Sequence, residues 1–361
     1  MPPGGAPFGS PPGDIPEKKI LRKRIALMLA LVICAGALCG CAGKTKSRYT
    51  ASFLELFDTV TSIVGYAESQ EAFTEEVTRV RDELEAYDHL YDIYNEYDGM
   101  VNLRTINLNA GGEPLEVDQK IIDLLLFARE VDEKTDHRVN AMMGSVLEIW
   151  HEAREEGIND PENAALPDMT ELQAAAEHVG FDLLEIDEEN RTVRITDPEA
   201  RLDVGALAKG YATQKVCETM PEGYLVSVGG NVVATGKKAD GTAWTIGIQD
   251  PDGDGTEYLH KVSLEKGSVV TSGDYQRYYT VDGKEYHHII DPDTLMPGER
   301  WRAVTVIGTD SAEGDALSTA LFLMSREDGQ KLLDGAGAEA MWIEKDGTRL
   351  YSPGYEAYIK P

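Results

Sequence analysis

Residues Arg201–Tyr211 read RLDVGALAKGY, and how this stretch is read decides the fold. It begins like a strand, turns at Gly205 and Ala206, and continues like a helix from Leu207, with an acid before the turn and a lysine after it. The chain changes character on either side of it. Upstream, Phe73, Val77, Val80, Leu84, Tyr87, Leu90 and Tyr91 recur at three and four, which predicts a long amphipathic helix over 70–94. A second helix is expected after Val117 and a third over 169–179, while LELFDTVTSIVGYA (54–67) predicts a first or edge strand. Downstream from Thr192, short β-branched runs such as YLVSVGGNVVATG, WTIGIQD, GSVVTSGDY and RAVTVIGT predict strands, interrupted by helices after Leu207 and Ser311. The expected fold is α+β, a mainly antiparallel sheet core packed by helices, with no clear boundary between two domains.

The front of the chain reads as an export signal over residues 1–40. Lys18, Lys19, Arg22, Lys23 and Arg24 precede the apolar run Ile25 to Leu38, which is short for a membrane span. The run ends in LCGC, where Leu38 to Cys41 resemble the lipobox of bacterial lipoproteins, with Cys41 as the lipidated residue. A plain membrane anchor with an incidental cysteine is the other reading. Residues 1–16, rich in Pro and Gly, exceed what a signal needs and suggest a mis-assigned start. The expected organisation is therefore signal peptide 1–40, lipidated cysteine and polar tether 41–52, and folded domain 53–361, held by lipid on the extracytoplasmic face of the cell membrane. Cys217 is the one cysteine beyond the front segment, so the domain has no disulfide framework. The net charge is −30, and loss of residues 1–40 leaves 29 basic and 62 acidic side chains, a net −33. Such a balance argues against nucleic acid or an anionic lipid surface as partner, and a phosphate-bearing ligand needs a cation as mediator.

Several motifs fail. VGGNVVATG lies between strand-like runs instead of opening a helix, which argues against a dinucleotide fingerprint. DPDGDG (250–255) starts like a calcium loop, but Lys261 stands where a bidentate Glu is needed, so it reads as a hairpin turn. Asp310 and Glu313 have capping-box spacing, so a helix starts near Ser311, and Asp315 and Thr319 then share one face with Ser318 beside them. A carboxylate and a hydroxyl one turn apart supply hard oxygens suited to magnesium. They equally suit a solvated first turn, so spacing alone does not decide.

Five stretches, in order, resemble a known family: DVGALAKGYA (203–212), YLVSVGGNV (224–232), VVTSGDYQRYY (269–279), HHIIDPDT (287–294) and GDALSTALFLM (314–324). The family is that of the ApbE-type flavin transferases, the FAD:protein FMN transferases, and the resemblance covers roughly residue 53 to the C-terminus. It implies magnesium-dependent transfer of FMN from FAD to a Ser or Thr hydroxyl of another protein, with release of AMP. It implies metal ligation by the Ala206 carbonyl, Asp315 and Thr319, with Ser318 in a supporting place. Asp203 corresponds to a cofactor-contacting position, Lys209 to one near the FAD phosphates, and Ile290 to one packing on the cofactor. His288 is the candidate base; a histidine that merely holds the loop is the alternative.

The N-terminal half departs from the family pattern. Phe57-Asp58-Thr59 stands for Met-Gly-Thr, Asn140 replaces an Asp, and Ser145 replaces a Pro, whereas Tyr94 and Asn107 are kept. Phe57, Tyr94, Arg138, Val139 and Asn140 are the expected FAD contacts there. Family members modify subunits of the sodium-pumping NADH:quinone reductase and of Rnf-type complexes, which makes such a subunit the expected acceptor. Two other readings share these residues: a magnesium-dependent FAD pyrophosphatase giving FMN and AMP, and a flavin-binding lipoprotein without turnover.

Overall fold

The computed structural model describes residues 46–253, 255 and 257–361. Cys41 and the signal segment lie outside the described residues. Eight strands form one sheet in the order Ser47–Leu56, Thr59–Ala67, Tyr224–Val228, Asn231–Ala234, Gly267–Gly273, Ala303–Gly308, Glu339–Ile343 and Arg349–Tyr351, each antiparallel to its neighbours. The α+β expectation therefore holds.

Strand alternation sorts side chains to two covered faces. On one face, three helices lie across the sheet: Gln70–Tyr91 on the first hairpin, Ala208–Glu218 on the middle strands, and Ser311–Leu323 on Gly267–Gly273 and Ala303–Gly308. On the other, Trp244, Ile246, Ile248, Val262 and Leu264 of the hairpin Trp244–Gln249/Tyr258–Leu264 pack with Val269, Ile307 and Met341. Residues 250–253, the start of the acidic run, fall after the first strand of that hairpin, and the Gly253 amide donates to the Asp250 carbonyl (3.2 Å), in keeping with a turn.

The structure differs from the sequence reading in four places. The sheet begins at Ser47, so the tether expected over 41–52 is shorter than its polar composition implies. The single strand expected over 54–67 is the end of one strand and the whole of the next, because Phe57 and Asp58 both turn through φ 52°. The first helix stops at Tyr91 instead of 94: the Asp92 carboxylate collects the amides of Tyr94 (2.6 Å) and Asn95 (3.0 Å), which turns Tyr94 away from the helix. The helix Gly144–Asn159 was not expected, since no side chain caps it. Its first amide donates instead to the Arg201 carbonyl (3.1 Å), a tertiary contact that a Cβ at Gly144, 2.6 Å from that oxygen, would block.

Candidate functional site

The RLDV segment is held in place before any ligand is considered. Asn107, buried, donates to the Leu202 carbonyl (2.9 Å) and accepts from the Leu202 amide (2.7 Å), while the Asp203 amide donates to Ala141 (2.8 Å). These bonds substitute for a sheet partner and aim Asp203 into a cavity of about 420 Å³. The Asp203 carboxylate accepts from the Gly205 amide at 2.7 Å, tightening the turn, and the enclosing protein pushes its pKa up.

Past the turn the helix Ala208–Glu218 meets the helix Ser311–Leu323 at Gly210. A Cβ there would lie 2.4 Å from the Asp315 Cβ and 2.5 Å from the Ser311 carbonyl, so glycine sets how closely the helices approach. The Gly210 amide donates to Asp315 Oδ2 at 2.8 Å. In an uninterrupted helix it would bond the carbonyl four residues earlier, which is that of Ala206. Among the described residues no group donates to the carbonyl of Ala206, a residue that lines the cavity.

Asp315 is buried, and desolvation raises its pKa against the opposing pull of Lys209 and the Gly210 amide. The Asn231 amide nitrogen, also buried, is near enough to favour the charged carboxylate but makes no hydrogen bond of ordinary geometry. Thr319 lines the cavity one helical turn beyond Asp315. Among the described residues no cluster of three or more His, Cys, Asp or Glu side chains suits a metal ion. The oxygens that could hold an ion here are one carboxylate, one hydroxyl and one carbonyl without a donor. Hard oxygens of this kind would suit magnesium, which takes few protein oxygens and keeps water or substrate phosphate for the rest.

His288 opens into the same cavity. Its Nδ1 lies 3.2 Å from the Arg277 carbonyl, which can only accept, so Nδ1 carries the proton and Nε2 keeps the lone pair. Enclosure, then Arg277 and Lys209, lower its pKa. The preceding His287 is structural: it is buried, with Nε2 on the Gly298 carbonyl (2.8 Å) and Nδ1 accepting from the Ile289 amide (3.2 Å).

Of the expected contacts, Tyr94, Arg138, Val139, Asn140 and Ile290 also line the cavity. Arg138 is already paired, with Asp291 (3.1 Å) and Asp293 (2.6 Å), and so ties the 138–140 segment to the turn after His288. Two expected residues do not reach it. Phe57 packs against the core with its amide on Asp88 (2.9 Å), and its neighbours Asp58 and Thr59 line the cavity instead. Ser318 is fully buried behind Asp315. Residues not singled out from sequence complete the walls: Trp150, His151 and Arg154 from the uncapped helix, with Ser272, Arg277 and Asn231. Arg154 Nη2 lies 2.8 Å from His151 Nδ1, and the His151 ring lies 4.9 Å from that of Tyr94. The i, i+3 spacing of His151 and Arg154 puts both on one face of this helix.

The profile of the ApbE family matches residues 57–342. The chain belongs to the ApbE family. It is 32% identical over 271 residues to the FAD:protein FMN transferase of Treponema pallidum, covering 70% of this chain and 73% of the relative. An FAD:protein FMN transferase of Klebsiella pneumoniae is 31% identical over 262 residues, covering 71% and 79%. The crystal structure of the ApbE protein of Thermotoga maritima superposes with a TM-score of 0.76 at 28% identity, covering 87% of this chain and all 100% of that one. The flavin transferase ApbE of Vibrio cholerae shares the fold, with a TM-score of 0.71 at 22% identity, covering 87% of this chain and 99% of that one.

Proposed function

We propose that this ApbE family member transfers the FMN half of FAD to a Ser or Thr hydroxyl of an acceptor protein, with Asp315, Thr319 and the Ala206 carbonyl holding magnesium. The observation that carries this reading is the Gly210 amide, which bonds Asp315 and leaves the carbonyl of Ala206 without a donor, in a cavity that Asp315 and Thr319 also line. Magnesium bound there supplies charge neutralisation to a pyrophosphate. Lys209, whose Nζ also bonds the Gly205 carbonyl at 3.2 Å, and Arg277 add positive charge to a cavity in a protein of net charge −30. His288 Nε2 accepts the proton of the incoming hydroxyl. The hydroxyl oxygen bonds to the FMN phosphorus, the bond from that phosphorus to the bridging oxygen breaks, and AMP leaves with that oxygen.

Incubation with FAD, magnesium and a candidate acceptor, followed by mass analysis of the acceptor, tests the reading. FMN attached to the acceptor supports transfer; free FMN and AMP with an unmodified acceptor favour the pyrophosphatase. The proposed acceptor is an extracytoplasmic subunit of a sodium-pumping NADH:quinone reductase or Rnf-type complex. The proposed location is the outer face of the cell membrane, anchored through lipid on Cys41, since the diacylglycerol of a lipobox gives the two chains that stable anchoring needs. Cys41→Ser should then move the protein to the soluble fraction; unchanged membrane retention would contradict the anchor.

A further inference from the structure

Three hydroxyls stand in a row between the strand Gly267–Gly273 and the helix Ser311–Leu323. Ser318 Oγ donates to the Asp315 carbonyl at 3.0 Å. Ser272 Oγ lies 2.7 Å from Ser318 Oγ and 3.3 Å from Thr319 Oγ1. The helix comes close enough for this because Gly314 faces Val270, where a Cβ would lie only 3.0 Å from Val270 Cγ2.

The direction of the row follows from counting protons. A hydroxyl has one proton to give and two lone pairs. The Asp315 carbonyl can only accept, so the Ser318 proton is committed to it. Ser318 must then accept from Ser272, which commits the Ser272 proton. Ser272 is left to accept from Thr319, which draws the Thr319 proton toward the sheet and leaves the Thr319 lone pairs for the cavity. We propose that Ser272 is a positioning residue that turns the Thr319 hydroxyl so that it offers lone pairs, not its proton, to a divalent cation. The same row gives Ser318 a task different from ligation: it fixes the direction of the row from behind. This inference rests on the cation reading of the site.

The test is divalent-cation binding by the purified full chain without FAD, read by titration calorimetry with magnesium and by manganese electron paramagnetic resonance. Asp315→Asn reports on the cation reading itself, because wild-type affinity in that variant would overturn the site and not merely the row. With that control passed, Ser272→Ala should weaken binding about threefold to tenfold, the worth of one hydrogen bond. In a Thr319→Val background the same change should have no further effect, since no hydroxyl remains to be turned. A merely structural Ser272 would cost the same factor in both backgrounds, and that result overturns the proposal, as does wild-type affinity in Ser272→Ala. Should Ser272→Ala fail to fold, Ser318→Ala frees the Ser272 proton to point at Thr319 and should weaken binding too; unchanged affinity there is equally fatal.

Discussion

Asp315 carries a charge that its surroundings disfavour. Its pKa is raised by burial, so at neutral pH the ionised carboxylate is a cost to the folded state, relieved when pH falls or when a cation binds. Magnesium should therefore raise the Tm of the wild type. Asp315→Asn, which keeps an oxygen for the Gly210 amide, should be at least as stable without metal and gain nothing from magnesium. A thermal shift series checks both, and an equal magnesium response in the two proteins would count against the site. His288 is shifted the other way, toward the neutral ring. An unfolded chain takes up that proton near its ordinary pKa of about 6.5, so the stability it contributes is present above that pH and declines below it. Because the folded ring stays neutral, kcat/KM should not fall on its account until pH drops well below about 6.5. A pH–rate profile whose acid limb at ordinary histidine pH disappears in His288→Gln would contradict this.

The two helices that meet at Gly210 depend on a missing side chain. Gly210→Ala puts a methyl 2.4 Å from the Asp315 Cβ and 2.5 Å from the Ser311 carbonyl, so the helices must part and Asp315 must shift relative to the Gly210 amide. It should cost about 1–3 kcal/mol by denaturant melts and reduce transfer more than stability. The helix Ser311–Leu323 was legible in sequence because its start is local: the Asp310 side chain accepts from the amides of Ala312 (2.7 Å) and Glu313 (3.1 Å). The helix Gly144–Asn159 was not, because the Arg201 carbonyl that anchors it is remote in the chain. The same division runs through the site. Asp203, Lys209, Asp315 and Thr319 sit in stretches with a local signature, whereas His151 and Arg154 reach the cavity only through that remote anchor. Phe57 shows the limit of reading by alignment, since two consecutive positive φ angles swing Asp58 and Thr59 into its expected place.

A chain of net charge −30 that handles a pyrophosphate must gather its few cations where they are needed. Arg138, Arg154, Lys209 and Arg277 all line the one cavity, and Lys209 acts electrostatically on Asp203, His288 and Asp315 together. Lys209→Ala should weaken FAD binding in magnesium about fivefold, roughly 1 kcal/mol, in a direct titration. The molecule as a whole thus presents a fixed frame, an antiparallel sheet with helices on one face, and concentrates its chemistry where two of those helices touch. The most direct test follows FMN appearing on an acceptor protein across a magnesium titration, for wild type and Asp315→Asn side by side. The account predicts magnesium-dependent transfer by the wild type and little by Asp315→Asn at low magnesium. Transfer by Asp315→Asn at the wild-type rate at low magnesium would contradict it.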